Sequence, residues 1–309
     1  MSAELTGSIP VLVTPLNDQY EVDISSLLKL VRYYLDAGVD GIIALGESSE
    51  RDALSPAERE TILRTVFKEV GGAVPIIVGT GEDNAELTLQ ASRHAEELGA
   101  KAVMIPPPRL PELKGEEILE YYKYVGERVR VPIVVQDYPQ NTRPRMPPDL
   151  IAKIHNTIPN ATYLKLEDPP TPPKIREVLK LTGNKMKVFG ALYGRDSFWE
   201  LEEGAAGIMT ATPASKYLVD MVESHFKGLR QRAMEIYYLT TPLTHFYPEL
   251  GLAVRKQVLA FRDVIATSKV RPPRKGLDET QRKQLRETLN WVEDALTAKL
   301  GIKPIHLMV

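Results

Sequence analysis

The sequence predicts an α/β protein, a (β/α)8 TIM barrel followed by a C-terminal all-helical extension. Short apolar runs alternate with amphipathic helical patterns from Ile9 to about residue 226, and the pattern is helical only after residue 228. Eight such units in about 220 residues are typical of a closed barrel of parallel strands. We therefore expect a barrel domain over residues 1–227 and a helical domain over residues 228–309. The alternative is an open doubly wound sheet, which the lack of a Gly-x-Gly-x-x-Gly sequence after the first run disfavours.

Eight apolar runs are the candidate strands. Each is short and apolar, as expected of strands that are buried on both faces of a parallel sheet. The runs are Ile9–Thr14, Gly41–Leu45, Pro75–Val78, Ala102–Ile105, Pro132–Val135, Ala161–Leu166, Met186–Phe189 and Ala206–Met209.

Helical patterns separate these runs, and several have clear start signals. Asp23 can cap the first helix. Ser55-Pro56-Ala57-Glu58 forms a capping box with proline at the first helical position. Further helices are predicted near residues 84–98, 116–129, 147–157, 174–182, 194–203 and 216–227. In the extension, the stripe of Leu285, Leu289, Val292 and Leu296 predicts an amphipathic helix.

Composition narrows the class of protein. The 309 residues are 43% hydrophobic, carry a formal net charge of −2 and include no cysteine. Disulfides and thiolate chemistry are thereby excluded, and the charge balance gives no reason to expect nucleic acid or a membrane surface as a partner. We see no signal peptide and no run of membrane-spanning length, so we expect a cytoplasmic protein. The basic stretch 255–286 is interpreted as a solvated helical face.

Lys165 stands out because it lies inside an apolar, β-prone run and is followed at once by Glu167 and Asp168. Burying an ammonium group costs free energy unless the group is paired or loses its proton. A buried neutral amine is the nucleophile of Schiff-base enzymes, so Lys165 is a candidate catalytic residue. The alternative is a strand-end lysine that reaches solvent or pairs with Glu167. Strand alternation leaves open whether Glu167 touches the amine or turns outward.

Further candidates follow the second predicted strand, because catalytic groups of such barrels lie at the C-terminal strand ends. The segment is Gly46-Glu47-Ser48-Ser49-Glu50. Hydroxyl and backbone N–H groups beside glycine can converge on an anion, so Ser48 and Ser49 are candidates for holding a carboxylate. An ordinary serine-rich turn is the alternative.

The histidines do not form a metal-ligand pattern. They are scattered over predicted helices and the C-terminal region, and none pairs with a carboxylate at ligand spacing. We interpret them as structural or surface residues and expect neither a metal nor another cofactor. They are His94, His155, His225, His245 and His306.

Taken together, several segments resemble the dihydrodipicolinate synthase/N-acetylneuraminate lyase family, whose members are class I lysine-dependent lyases and aldolases. The resemblance covers nearly the whole chain and implies that Lys165 is the Schiff-base lysine. Gly46 through Glu50 resembles the family's Gly-Thr-Thr-Gly-Glu segment. The other matching segments are Val13-Thr14-Pro15, Leu54-Ser55-Pro56-Ala57-Glu58-Arg59, Gly79-Thr80-Gly81 and Gly204-Ala205-Ala206-Gly207.

Three positions depart from the usual pattern of that family. Gln136 stands where the family usually has a tyrosine, and an amide cannot act as an acid or base near neutral pH. Asn141 stands where dihydrodipicolinate synthases have an arginine that binds the aldehyde substrate's carboxylate. Pro107 stands near the place of a tyrosine that reaches a neighbouring subunit. The Gln-Asp-x-Pro pattern at Gln136 instead resembles a branch that includes dehydratases of 2-keto-3-deoxy sugar acids.

The resemblance implies that Lys165 attacks the C2 carbonyl of a 2-keto acid, such as pyruvate, and that an enamine follows. The enamine then expels a C4 hydroxyl, as in a dehydratase, or arises from C3–C4 cleavage, as in an aldolase. Another proton shuttle must replace the missing tyrosine. Tyr138 is the first candidate, and Glu50, Asp137 and the substrate's own carboxylate are others. Gln136 can hydrogen-bond the substrate or orient a water molecule.

We expect the substrate to contact residues at the ends of the second and eighth strands. Ser48, Ser49 and Glu50 follow the second strand, and Gly207 and Met209 belong to the eighth. Plain core packing is the alternative for Met209.

Two other functions are compatible with these residues. One is a 4-hydroxy-tetrahydrodipicolinate synthase that condenses pyruvate with aspartate semialdehyde. The other is a non-catalytic barrel that binds a keto acid, which the retention of Lys165 and the serine pair disfavours. The resemblance also implies a homotetramer or homodimer, although Pro107 leaves the contact pattern open.

Overall fold

The computed structural model describes residues 4–110 and 112–303, and eight parallel strands form its centre. Almost all strand residues are buried, because helices cover the outer face and apolar side chains fill the inner face. The strands are β1 (Gly7–Ser8), β2 (Ile42–Ala44), β3 (Ile76–Gly79), β4 (Ala102–Ile105), β5 (Ile133–Asp137), β6 (Tyr163–Leu166), β7 (Lys187–Gly190) and β8 (Gly207–Ile208).

The strands form one parallel sheet in the order β1-β8-β7-β6-β5-β4-β3-β2. The two ends of the sheet meet, because Val11 forms a parallel bridge with Ile43 and the Leu12 N–H donates to the Ile43 carbonyl at 2.9 Å. The predicted TIM barrel is therefore confirmed. In its register Lys165 on β6 lies opposite Gln136 on β5.

Helices follow the strands and continue through the C-terminal segment. In the described part of the chain they are α1 (Ile24–Asp36), α2 (Pro56–Val70), α3 (Ala85–Glu97), α4 (Gly115–Gly126), α5 (Pro139–Thr142), α6 (Pro148–Thr157), α7 (Thr171–Leu181), α8 (Ser197–Glu202), α9 (Ser215–Phe226), α10 (Arg230–Thr244), α11 (Gly251–Phe261) and α12 (Glu279–Leu300). The helical extension after residue 228 thus agrees with the prediction. The exact division at residue 227 stays a prediction, and residues 304–309 lie outside the described part.

Two helix starts have the cap geometry that the sequence predicted. The Asp23 carboxylate accepts from the Ser26 N–H at 3.0 Å at the start of α1. At α2 the Ser55 hydroxyl and the Glu58 carboxylate each accept from the other residue's backbone N–H. These bonds satisfy N–H groups that have no partner within the first helical turn.

The first strand differs from its prediction. β1 covers Gly7–Ser8, whereas the apolar run predicted a strand over Ile9–Thr14. Pro10 lies inside that run and has no N–H to donate, so the regular ladder is interrupted there. Beyond Pro10, the bridge between Val11 and Ile43 keeps the chain beside β2.

The core consists of two apolar layers. Residues such as Ile43, Met104, Val134 and Phe189 fill the barrel interior. A larger layer lies between the strands and the surrounding helices, and it includes the predicted stripe of α12. Within the described residues, no helix is both long enough and apolar enough to cross a membrane.

Glu200 on α8 is a carboxyl group buried in the outer layer behind β7. Its Oε1 accepts from the Thr171 hydroxyl at 2.6 Å, and its Oε2 has no protein partner among the described residues. A Cβ at Gly190 would lie 2.0 Å from Oε2, so the glycine makes room for the carboxyl group. Burial raises the pKa of Glu200 to about 8, so the group is mostly protonated at neutral pH.

We expect Glu200→Gln to make stability less dependent on pH. The raised pKa of Glu200 in the fold means that its contribution is fully present below about pH 4.5 and is lost as the pH rises through about 8. In that window the wild type loses up to about 1.4 kcal/mol per pH unit relative to the variant. Urea unfolding at several pH values measures this, with the exposed Glu120→Gln as control. A difference between Glu200→Gln and wild type that is constant with pH would contradict the assignment.

Candidate functional site

A cavity of about 280 Å³ opens at the C-terminal ends of the strands. Three of the candidate residues, Ser48, Tyr138 and Lys165, line it. Residues 248–253 and Arg255 line it from the helical extension. The cavity therefore lies between the barrel mouth and the segment that leads into α11.

Lys165 lies within this cavity with only 3% of its surface exposed. Its Nζ is 3.3 Å from Oε2 of Glu167. The same oxygen accepts from Nε2 of Gln136 at 2.7 Å. A carboxylate held this close to a buried amine can exchange a proton with it.

Glu167 points into the cavity, which answers the question that the sequence left open. Its N–H donates to the Asp137 carbonyl at 2.8 Å, and its carbonyl accepts from the Gln140 side chain at 3.1 Å. The end of β5 therefore fixes the backbone just beyond β6 and sets the carboxylate beside Lys165. Glu167 was not among the predicted catalytic residues, although its position two residues after Lys165 was the available signal.

Tyr138 and Tyr193 form a hydroxyl pair at 2.8 Å in the wall of the cavity. Tyr193 belongs to a turn after β7 in which Leu192, Tyr193 and Gly194 have φ values of 34°, 64° and 79°. Such angles are unfavourable for non-glycine residues, so the surrounding structure must hold this turn in place. Burial raises the pKa of Tyr138 well above its ordinary value, and Tyr193 adds to the effect. Tyr138 is therefore a neutral phenol that can donate a hydrogen bond.

Glu47 forms a polar group with Arg109 and Asn141 on another side of the cavity. Its Oε1 accepts from Nη2 of Arg109 at 2.8 Å, and its Oε2 accepts from Nδ2 of Asn141 at 2.5 Å. Burial raises the pKa of Glu47, while Arg109 opposes the shift. Asn141 thus donates to a carboxylate. By the resemblance described above, dihydrodipicolinate synthases have an arginine at this position.

Only one of the two predicted serines has its hydroxyl at the cavity. Ser48 lines the cavity, and its Oγ accepts from Nη2 of Arg255 at 3.2 Å. The Ser49 hydroxyl instead donates to the Leu12 carbonyl at 2.6 Å, and the Ser49 carbonyl accepts from the Thr14 hydroxyl at 2.6 Å. Ser49 therefore ties the loop after β2 to the segment that follows β1, which corrects the expected place of its hydroxyl beside the substrate.

Glu50 also differs from its prediction, because it does not line the cavity. It forms a fully buried ion pair with Lys256 of α11, and it accepts from the Arg271 N–H at 2.7 Å. Burial lowers the pKa of Lys256 to about 8 although Glu50 opposes the shift. Glu50 holds the helical extension against the loop after β2. It does not line the cavity, so it is not placed to transfer protons to a substrate there.

The end of β8 contributes different residues from those predicted. Gly207 packs against β1, where a Cβ would lie 2.0 Å from the Gly7 carbonyl oxygen. Met209 is fully buried in the barrel interior, which was its alternative interpretation. Thr210 and Ala211, the next residues along the chain, line the cavity instead.

Asp137, another candidate shuttle, is not among the residues that line the cavity. Its carboxylate accepts from Lys174 at 2.6 Å, and Lys174 also donates to Asp168 at 2.9 Å. Burial raises the pKa of Asp137 to about 6, while Lys174 opposes the shift. This network links the end of β5 to the residues just after β6, outside the cavity.

Arg255 is a cavity residue that sequence reasoning missed. It lies on α11 with 5% of its surface exposed, although the basic stretch 255–286 was predicted to be a solvated face. Burial lowers the pKa of Arg255, while Tyr193 opposes the shift. Its neighbour Lys256 is buried as well. The sequence offered no signal for this, because the position depends on how α11 packs on the barrel.

The four histidines in the described part of the chain, His94, His155, His225 and His245, do not line this cavity. His94 bonds to Glu60 at 2.6 Å on the outer helices. Within residues 4–110 and 112–303, no group of three or more His, Cys, Asp or Glu side chains is arranged to hold a metal ion. His306 lies outside the described residues.

Comparison with known proteins identifies the family. A family model described as the dihydrodipicolinate synthetase family matches residues 4–292. The chain therefore belongs to this family and is an enzyme of its lyase class.

Individual relatives carry two different names. L-2-keto-3-deoxyarabonate dehydratase of Azospirillum brasilense is 30% identical over 289 residues, which are 90% of this chain and 92% of that protein. 4-Hydroxy-tetrahydrodipicolinate synthase of Thermotoga maritima is 31% identical over 236 residues, which are 75% of this chain and 80% of that protein. The crystal structure of dihydrodipicolinate synthase from Rhodopseudomonas palustris has a TM-score of 0.87 at 29% identity and covers 93% of this chain and 97% of that one.

We expect Glu50→Gln to destabilise the fold by about 3 kcal/mol, because it leaves the Lys256 ammonium buried without a counter-charge. The control Glu223→Gln removes a carboxylate from the exposed pair with Lys227 and should cost less than about 1 kcal/mol. Urea unfolding near neutral pH measures both. Equal effects of the two substitutions would contradict the structural role of Glu50.

Proposed function

We propose that this protein is a Schiff-base lyase that acts on a 2-keto acid, with Lys165 as the nucleophile. The favoured reaction is dehydration or aldol cleavage of a 2-keto-3-deoxy sugar acid. The observation that carries the proposal is the buried Lys165 amine, 3.3 Å from the Glu167 carboxylate in a cavity at the barrel mouth. Family membership supports the same chemistry.

Glu167 supplies the base that frees the amine for attack. Only the uncharged amine is a nucleophile. Transfer of a proton from the ammonium to the adjacent carboxylate converts two buried charges into two neutral groups, which reduces the desolvation cost of the pair. The amide of Gln136 keeps the carboxylate in position at 2.7 Å. Gln136 thus acts as a positioning residue rather than as an acid.

The chemical steps follow from the iminium. Lys165 bonds to C2, and the protonated Glu167 returns its proton as the carbinolamine loses water, so that Glu167 is again a carboxylate. The iminium then makes the C3 protons acidic, because it accepts the electrons that the C3–H bond releases. The Glu167 carboxylate removes a proton from C3 and gives the enamine. In dehydration the enamine electrons expel the C4 hydroxyl, which leaves as water after it receives a proton. Hydrolysis of the iminium finally restores the Lys165 amine.

The Tyr138 and Tyr193 pair serves as a hydrogen-bond relay beside these steps. Tyr138 remains the first candidate to hand a proton to a leaving oxygen, because its phenol is neutral and lines the cavity. Glu47 and Asn141 provide polar partners for the hydroxyl groups of a sugar-acid chain.

The synthase alternative is less well supported by this cavity. A condensation with aspartate semialdehyde requires a binding group for a second carboxylate, and the carboxylate of Glu47 instead accepts from Asn141 at that place. Formation of a condensation product from pyruvate and aspartate semialdehyde would favour the alternative. We further propose a homodimer or homotetramer in the cytoplasm, on the resemblance to the family alone.

Trapping of the covalent adduct tests the proposal. Incubation with pyruvate followed by borohydride reduction is expected to add one reduced pyruvyl group at Lys165, located by peptide mass spectrometry. The peptide with Lys256 is an internal control, because that amine has a lowered pKa but is buried in an ion pair outside the cavity. No adduct, or an equal adduct in Lys165→Ala, would refute the Schiff-base proposal.

Glu167→Gln is expected to slow proton removal from C3 by about 10²- to 10⁴-fold, because it removes the base. The exchange of pyruvate methyl protons with D₂O, followed by NMR, measures this step directly. The trapped fraction is measured in parallel, since the substitution also affects attack by the amine. Tyr138→Phe serves as the comparison, with a smaller effect on exchange. Unchanged exchange in Glu167→Gln would show that another group is the base.

A further inference from the structure

The Tyr193 ring in the wall of the cavity lies close to two guanidinium groups. Cζ of Arg255 is 5.1 Å and Cζ of Arg195 is 5.9 Å from the centre of the ring. Nε of each arginine is buried and has no hydrogen-bond partner within the described part of the chain. Neither guanidinium forms a salt bridge with a carboxylate of the residues that the structure describes. Negative charge that forms on this tyrosine is therefore stabilised by two nearby cations.

The fold makes room for this arrangement and holds it in place. A Cβ at Gly251, the first residue of α11, would lie 3.2 Å from Nη1 of Arg255 and 3.7 Å from Cε1 of Tyr193. The turn after β7 holds Tyr193 at a φ of 64°, which is unfavourable for a residue with a Cβ. The Gly194 carbonyl in this turn accepts from the Ser197 hydroxyl of α8 at 2.9 Å. A strained conformation that the surroundings maintain indicates that the position of this ring has a function.

Tyr138, the neighbour of this ring, is a poor acid by itself. Burial raises the pKa of Tyr138 well above its ordinary value, because a phenolate there would be removed from water. Its hydroxyl lies 2.8 Å from the Tyr193 hydroxyl, and both tyrosines line the cavity. When Tyr138 gives up its proton and takes the proton of Tyr193, the negative charge moves to the ring beside the two guanidinium groups. The pair thereby avoids leaving a phenolate on Tyr138.

We propose that Tyr193 supplies, through Tyr138, the proton that the departing C4 hydroxyl needs, and that the two guanidinium groups stabilise the phenolate that remains. This role of the tyrosine pair rests on the dehydration branch of the function proposed above. Tyr138 is the group that meets the leaving oxygen. Tyr193, Arg255 and Arg195 act through it and are positioning residues.

The bond changes of this step balance without any other reactant. The nitrogen lone pair of the enamine restores the iminium, the C2–C3 electrons form a C3–C4 double bond, and the C4–O bond breaks. The departing oxygen takes the proton of the Tyr138 hydroxyl, and Tyr138 takes the proton of the Tyr193 hydroxyl. The proton that Glu167 removed from C3 then returns through water to the Tyr193 phenolate, so both groups are ready for the next turnover.

Two matched substrates test this role, because fluoride leaves without a proton whereas a hydroxyl group needs one. 4-Hydroxy-2-oxobutanoate and 4-fluoro-2-oxobutanoate differ only in the leaving group and give the same product, 2-oxobut-3-enoate. NMR measures kcat for each, with the rate without enzyme subtracted. Tyr193→Phe is expected to lower kcat for loss of water about 10²-fold and kcat for loss of fluoride less than about 3-fold. The ratio of the two kcat values within one variant does not depend on the fraction of the protein that is folded.

The arginines are tested through the same ratio of water loss to fluoride loss. Arg255→Gln is expected to lower it about 10- to 100-fold, and Arg195→Gln by less, because Arg195 lies farther from the ring. Arg255→Lys should recover part of the loss, since it keeps the charge. The exposed Arg282→Gln on α12 is the charge control and should leave the ratio unchanged. In a Tyr193→Phe background Arg255→Gln should not change the ratio further, because no phenolate can form there.

The outcomes separate this inference from the proposed function. An unchanged ratio in Tyr193→Phe, whether both rates fall or neither does, would overturn the relay. An effect of Arg255→Gln on the ratio that persists in the Tyr193→Phe background would overturn the role of the guanidinium groups. The relay is also overturned if the wild type cleaves 4-hydroxy-2-oxobutanoate to pyruvate and formaldehyde, or consumes neither compound. Borohydride trapping of pyruvate at Lys165 in the same preparation would then leave the Schiff-base function intact, whereas no trapping would refute that function itself.

Discussion

The contact between the Lys165 amine and the Glu167 carboxylate is the interaction on which the rest of the site depends. The two side chains lie 3.3 Å apart and are almost completely removed from water. A charged pair in that position is costly to desolvate, so the fold gains little stability from it. In the mechanism that we propose, its value lies in chemistry, because proton transfer within the pair would yield a nucleophilic amine. The barrel positions both residues. Lys165 lies on β6, and the end of β5 holds Glu167 through a backbone hydrogen bond and a hydrogen bond from the Gln136 amide.

The helical extension completes this site rather than standing apart from it. The buried pair between Glu50 and Lys256 fixes α11 against the loop after β2. The adjacent Arg255 thereby reaches the cavity and touches Ser48. Two neighbouring basic residues on one helix thus have different roles, one in holding the extension in place and one in lining the cavity.

The sequence predicted the fold well because the spacing of apolar residues, and the residues that begin and end helices and strands, are local properties of the chain. Seven of the eight strands, the caps at Asp23 and Ser55 and the helical extension needed no knowledge of the tertiary structure. Lys165 was also found locally, as a charged residue inside an apolar strand. The burial of Arg255 could not be found in this way, because it depends on a contact between segments about two hundred residues apart.

The Glu167 side chain points into the cavity and the Ser49 hydroxyl points away from it, and both orientations have the same explanation. Glu167 accepts from the side-chain amide of Gln136 on β5, and Ser49 donates to the Leu12 carbonyl in the segment after β1. No local sequence pattern encodes either contact. Gly207 and Met209 were assigned to the cavity by their position at the end of the eighth strand. Gly207 instead packs closely against β1, and Met209 packs in the barrel interior.

A crystal structure of the protein after reduction with pyruvate and borohydride tests the central claim most directly. The account predicts a covalent bond between Lys165 Nζ and C2 of the former pyruvate, with the Glu167 carboxylate still beside that nitrogen. An unmodified Lys165 with pyruvate bound elsewhere, or a Glu167 side chain turned away from the adduct, would contradict it.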